Sequence, residues 1–157
     1  KPRLKRSGIT NLTLRVLLKK DDPWINNNKN QADRVLCDVP CSGTGTWRRN
    51  PYSKWRFTKA DLYRLCESQK HILHQASQLV KKKGHLIYAT CSLLPQENQD
   101  QANWFEKTFL NFKLVPISRI LKNSSVKFNQ LDNRFLQLSP ASTKTDGFFC
   151  VTFERLF

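Results

Sequence analysis

Two short strings carry reactive side chains at matching places in a repeated local pattern: Asp38-Val39-Pro40-Cys41-Ser42-Gly43-Thr44-Gly45 and Thr90-Cys91-Ser92. Arg34-Val35-Leu36-Cys37 reads as a buried strand ending at Asp38, and His85-Leu86-Ile87-Tyr88-Ala89 as another ending before Thr90. Both cysteines then fall at strand C-terminal ends, the edge of an open α/β sheet where ligands and chemistry collect. A thiolate is soft and partly ionised near neutral pH, which suits it to add to carbon 6 of a pyrimidine ring. Addition turns carbon 5 into an enamine-like nucleophile that can take an electrophilic methyl group. The carbon 5 proton must then leave and the thiol be eliminated, a step that a second polar group assists. Asp38, protonated or sharing a hydrogen bond, is placed to meet ring nitrogen 3 and the exocyclic amine, where charge collects as sulfur attacks. Pro40 stiffens the turn, and Gly43 and Gly45 permit close backbone approach or a positive φ.

The elements between the two strings must hold them on one edge. Thr58-Lys59-Ala60-Asp61 has the form of a helix start related to a capping box. Leu62, Leu65, Cys66, Ile72, Leu73, Ala76, Leu79 and Val80 recur at helical spacing, and Lys81-Lys82-Lys83-Gly84 offers cations and a glycine stop at the far end. A crossover helix here joins the two strands into a βαβ unit with both cysteine motifs on the same side. Upstream, Lys1 to Arg6 reads as a helix end closed by Gly8, so the chain is expected to begin within a fold. Leu12 to Leu17 reads as a strand and Lys19 to Gln31 as a polar loop or a poor helix. Downstream, Pro95 precedes a helix with Ala102, Trp104, Phe105 and Phe109 on its apolar side, ended by Asn111. Phe112 to Val115 is a strand, a looser stretch runs to about Leu138, and Gly147 to Phe153 is an aromatic strand. The fold class is α/β, a sheet missing its first strands.

Composition sets the outer bounds. At 157 residues and 39% hydrophobic content, residues 1–157 suffice for one domain with its own core. The apolar runs are too short to cross a bilayer, and no charged-then-apolar leader opens the chain. Five cysteines without framework spacing fit a reducing compartment, so the expectation is a soluble, cytoplasmic monomer. Twenty-seven Lys and Arg against twelve Asp and Glu give a formal charge of +15, a field that draws in polyanions. Nucleic acid is the natural partner; lysine used only for solubility is the bland alternative. Trp47, Arg48, Arg49, Lys54, Trp55 and Arg56 interleave cations with indoles between Thr46 and Phe57. Such a loop can grip phosphate and stack on unpaired bases of single-stranded RNA, or can be an ordinary loop with its tryptophans turned inward.

Four motifs in order now carry a resemblance: Asp38 to Gly45, then Arg48-Arg49-Asn50-Pro51 with Lys54-Trp55, then Tyr88-Ala89-Thr90-Cys91-Ser92 with Pro95-Gln96-Glu97-Asn98, and last Asp146-Gly147-Phe148-Phe149. Together they resemble the Sun/Fmu-type, RsmB-like RNA cytosine-5 methyltransferases, over about Arg34 to Phe149. The resemblance implies the C-terminal portion of a Rossmann-like catalytic domain that uses S-adenosylmethionine on ribosomal or transfer RNA. It makes Cys91 the nucleophile, Cys41 the thiol that assists proton removal and product release, and Asp38 the group on the cytosine edge. The resemblance further implies that Asp38 and Pro40 border the cofactor, that Arg48, Arg49 and Lys54 face RNA, with an active-site role the alternative for Lys54, and that Asp21 or Asp22 matches the acid near the adenine. No metal is implied. Val39 stands where the family usually has Ala, and Tyr52 where it has an acidic residue. The family's cofactor-binding glycine-rich loop is absent from the chain.

Other readings compete. A DNA cytosine methyltransferase also has a Pro-Cys motif, but there that cysteine attacks and a Glu-Asn-Val motif follows, in place of Thr-Cys-Ser. A non-catalytic, basic RNA-binding fragment is the reading from another class. Zinc at Cys37, Cys41 and Cys91 lacks paired Cys-x-x-Cys spacing. Cys37, Cys66 and Cys150 read as packed thiols, His71 and His74 as solvated, and Glu97 and Asn98 as either a helix start or a support for the loop after Cys91.

Overall fold

The computed structural model describes residues 6–17, 22–122 and 133–157. In chain order the elements are α1 (Pro23–Asn27), β1 (Ala32–Asp38), α2 (Tyr52–Arg56), α3 (Lys59–Leu79), β2 (Val80–Thr90), α4 (Gln99–Thr108), β3 (Phe112–Val115), α5 (Ile117–Leu121), β4 (Leu136–Leu138), α6 (Pro140–Thr143) and β5 (Phe148–Arg155). One sheet runs in the order β1-β2-β5-β3, with β4 also beside β5. β1 and β2 are parallel, joined by α3 as the crossover, whereas β5 is antiparallel to β2, β3 and β4. The register Cys37↔Tyr88 and Asp38↔Ala89 brings the ends of β1 and β2 level, so the loops that follow leave the same edge.

α3 forms where the sequence predicts it because its start is satisfied locally. Thr58 N–H donates to Asp61 Oδ2 at 2.9 Å and Asp61 N–H donates to Thr58 Oγ1 at 3.2 Å, a complete capping box. Leu73 and Ala76 bury against a core that contains Cys37, Leu86 and Tyr88, and Phe105 of α4 reaches Phe153 of β5 with ring centroids 4.6 Å apart. The expected helix end differs. α3 stops at Leu79, and Lys81, Lys82 and Lys83 belong to an irregular start of β2, where the register jumps from Ala32↔Val80 to Arg34↔His85. Lys83 takes a positive φ of 62°, and a Cβ on Gly84 would lie 2.8 Å from the Lys81 carbonyl. The lysines therefore serve a bulge and not a helix dipole, and Lys81 pairs with Asp33.

The expected strand over residues 12 to 17 is also corrected: these residues are irregular and exposed, with Leu14 at 66% and Val16 at 70%. A strand needs a neighbour for its peptide groups, and among the described residues β1 pairs on one side only, with β2. Of the expected helix end at residues 1 to 6, positions 1–5 lie outside the described residues. Arg6 and Ser7 close a helical turn before Gly8, whose φ is 67°. Among the described residues no helix is long and apolar enough to cross a membrane.

Candidate active site

Three loops meet at the C-terminal edge of β1 and β2. The loop after β1 carries Cys41 and turns at Gly43, whose φ of 66° suits glycine, into a single 3-10 turn over Thr44–Thr46. Gly45 N–H donates to the Cys91 carbonyl at 2.9 Å, and Gly147 N–H donates to the Gly45 carbonyl at 2.9 Å. A Cβ on Gly45 would lie 2.5 Å from Gly147 Cα and 2.8 Å from the Cys91 carbonyl oxygen. Glycine is thus required on both sides of this contact, and Gly147 acquires a role that the sequence reading, intent on the neighbouring phenylalanines, did not give it.

Within this cluster Cys41 Sγ and Cys91 Sγ lie 3.3 Å apart, both half-buried. Burial first, and then the hydrogen bond to Cys91, push the Cys41 thiol up to about 12. At neutral pH Cys41 keeps its proton and can donate it toward Cys91. Burial likewise holds the Cys37 thiol up, to about 12, and that of Cys150, to about 11, which fits their reading as packed groups.

Behind the thiols lies a polar knot. Glu97, fully buried, accepts from Ser42 and Ser92, the residues that directly follow the two cysteines. Tyr88 hydroxyl donates to the Glu97 carbonyl at 2.6 Å, Thr90 hydroxyl to Asn98 Oδ1 at 2.6 Å, and Asn98 Nδ2 to the Ser92 carbonyl at 2.9 Å. The turn at Pro95–Glu97 is thereby folded under the Cys91 loop by residues of β2 itself. Both readings of Glu97 and Asn98 meet here: the Asn98 carbonyl accepts from Ala102 N–H at 3.1 Å at the start of α4, while the Asn98 side chain and the Glu97 carboxylate turn to the loop after Cys91.

The remaining predicted residues lie on separate elements. Asp38 is exposed at the end of β1, and Pro40 is exposed with its carbonyl accepting from Gln69 Nε2 at 3.0 Å. Asp21 lies outside the described residues. Asp22 caps α1 by accepting from Trp24 N–H at 2.9 Å and pairs with Arg15 at 3.1 Å. In the loop, the two tryptophans divide. Trp47 turns inward, its Nε1 donating to the Ser42 carbonyl at 3.2 Å and its ring meeting Phe57 edge-on, whereas Trp55 is 82% exposed beneath Lys54 Nζ. Arg48 is exposed, and Arg49 reaches Asp146 at 2.7 Å, tying the loop to the Gly147 turn. A cleft of about 650 Å³ opens beside Cys41, lined by Asn50, Tyr52, Arg56, Phe57 and Arg64 among others.

The family described as 16S rRNA methyltransferase RsmB/F matches residues 1–154. The chain belongs to this family. Ribosomal RNA small subunit methyltransferase B of Shewanella oneidensis is 37% identical over 119 residues, which are 76% of this chain and 26% of that protein. The probable ribosomal RNA small subunit methyltransferase B of Synechocystis is 35% identical over 124 residues, 79% of this chain and 27% of that one. The chain therefore spans about a quarter of the length of these relatives. Among solved structures, PH0851 superposes with a TM-score of 0.80 at 32% identity, covering 97% of this chain and 33% of its own. NSun6 from Pyrococcus horikoshii with SFG superposes at 0.77 and 21% identity, covering 99% and 38%, a likeness of fold. The RsmB/F-family sheet is thus the Rossmann-like α/β sheet expected from the motifs.

Proposed function

We propose that this RsmB/F-family chain carries the two-cysteine part of an S-adenosylmethionine-dependent RNA cytosine-5 methyltransferase acting on ribosomal RNA in the cytoplasm. The 3.3 Å separation of Cys41 Sγ and Cys91 Sγ at the sheet edge is the observation that carries the reading. As a thiolate, Cys91 adds to carbon 6 of a cytosine, and Asp38, at the end of the neighbouring strand, orients the ring by accepting a hydrogen bond from its exocyclic amine. The cofactor, when bound, supplies an electrophilic methyl group for carbon 5. For release, the carbon 6–sulfur bond breaks, the Cys41 proton passes to the departing Cys91 sulfur, and the Cys41 thiolate so formed takes the carbon 5 proton. Both thiols end protonated and the pyrimidine double bond is restored.

The described residues fit one wall of a cofactor site. Asp38 and Pro40 are exposed at the end of β1, on the edge strand whose other side is unpaired among the described residues. RNA is supported by the charge of +15, by Trp55 standing out beside Lys54, and by the cleft next to Cys41 with Arg56 and Arg64 in its wall. Arg48 and Lys54 are exposed to a phosphate, Lys54 beside the Trp55 ring; Arg49 is shared with Asp146.

The test uses RNA containing 5-fluorocytosine with S-adenosylmethionine, where a covalent adduct through Cys91 is expected. With ordinary cytosine, Cys91→Ala should lose methyl transfer entirely, while Cys41→Ala should attack and stay bound to RNA. An adduct appearing in Cys91→Ala reverses the two roles and favours the DNA-type arrangement. Adducts formed only by a longer form of the chain, with RNA binding retained in this one, leave it as a basic RNA-binding fragment.

A further inference from the structure

Glu97 is 0% exposed, and among the described residues no Lys, Arg or His lies within ion-pair distance of it. A carboxylate in such a place is strongly disfavoured unless its lone pairs are filled by donors. Four donors fill them: Ser42 N–H at 2.8 Å and Gln69 Nε2 at 2.9 Å on Oε1, and the hydroxyls of Ser42 and Ser92, each at 2.5 Å, on Oε2. Thr44 Oγ1 stands 3.1 Å from Ser92 Oγ and accepts from Leu93 N–H at 2.8 Å, which closes the knot between the two loops.

We infer that Glu97 is the positioning residue that sets the distance between the two thiols, by holding the serine next to each in one carboxylate grip. Its Oε1 fixes the Cys41 loop through the Ser42 N–H, and its Oε2 joins the Cys41 and Cys91 loops through the paired hydroxyls. Gln69, projecting from α3, anchors the carboxylate to the crossover helix, so the thiol pair is referred to a rigid element. The side chain needed is an acceptor on both oxygens. A carboxamide has the same shape but turns an NH2 toward either the serine hydroxyls or the Ser42 N–H, and one set of donors loses its acceptor.

This inference rests on reading Cys41 and Cys91 as a working pair, but its test needs neither RNA nor S-adenosylmethionine. The chain is equilibrated with mixtures of reduced and oxidised glutathione, and the Cys41–Cys91 disulfide is quantified by peptide mass mapping, which yields an effective concentration of one thiol for the other. Closing the bond requires the sulfurs to approach from 3.3 Å to about 2 Å, so the value responds steeply to loop position. Glu97→Gln is expected to lower it at least tenfold while circular dichroism still reports a folded protein. Ser92→Ala, which removes one hydroxyl and leaves the carboxylate, is expected to lower it about threefold and serves if the first variant does not fold. Phe112→Ala, which weakens the core at β3, at the opposite end of the sheet from β1, is expected to leave it unchanged. An unaltered value in both loop variants, or an equal fall in Phe112→Ala, overturns the inference. In the methyl-transfer assay Glu97→Gln should lower kcat with KM for RNA unchanged. Loss of thiol coupling in a protein whose parent transfers no methyl group would keep the positioning role and reject the methyltransferase reading.

Discussion

Leu12-Thr13-Leu14-Arg15-Val16-Leu17 and Arg34-Val35-Leu36-Cys37 are both runs of aliphatic and β-branched residues, and both read as strands. Only the second is one. Its residues pair in parallel with His85 to Tyr88, and Cys37 is buried, whereas Leu14 and Val16 stand in solvent. β-propensity describes a side chain that fits a pleated, half-buried surface, and it has no effect until a neighbouring ladder supplies that surface. The same contrast runs through β1 itself: Cys37 on one side meets the core beneath α3, while Leu36 on the other is 65% exposed. The thiol loops lie at the opposite extreme, since Gly45 N–H bonds to the Cys91 carbonyl and Gly147 N–H to the Gly45 carbonyl, joining three loops through their backbones.

The sharpest way to break this contrast is Gly45→Ala. Its Cβ would strike backbone on two other loops, so unfolding free energy should fall by about 3 kcal/mol in urea titrations; a loss below about 0.5 kcal/mol would mean that the loops are not packed together.

Alkaline pH probes the packed side of β1. Cys37 ionises near 9.0 when unpacked but holds its proton to about 12 when buried. Its contribution is therefore whole below pH 9 and is lost as pH rises toward 12, because the unfolded chain gives up the proton first. Cys41 acts in the same sense. The urea midpoint should decline above pH 9, and less steeply in Cys37→Ala; identical slopes would reject this cause.

Removing the cap of α3 by Thr58→Ala should cost about 1 kcal/mol, readable as a lowered melting temperature. At the quiet end, Leu14→Ser should change stability by less than about 0.5 kcal/mol. A larger loss would show that residues 12–17 do pack, and the contrast with β1 would fail.

Much of the fold was legible because its signals are local. Thr58 and Asp61 cap a helix from within four consecutive positions, and the 3.6-residue spacing through Leu73 and Ala76 shows which side of α3 is buried. Cys41 and Cys91 were legible as a pair because a βαβ unit brings its two strand ends to one edge. The lysine run misled because cations before a glycine suit a helix end as well as a bulge, and the choice rests on how tightly Gly84 approaches Ala32 and Lys81. The division between Trp47, turned in, and Trp55, turned out, was equally undecidable from their types alone.

By itself, the sequence determined the strand–helix–strand order from Arg34 to Thr90, the chemical identity of the thiols and the net positive charge of the chain, since these follow from side-chain type and short-range spacing. Tertiary structure decided that residues 12–17 form no strand, that Gly45 and Gly147 touch through their backbones, and that one buried carboxylate spans both thiol loops. Those outcomes depend on which surfaces and donors arrive from far along the chain. Ser42 and Glu97 are separated by 55 positions, and no local pattern records their meeting.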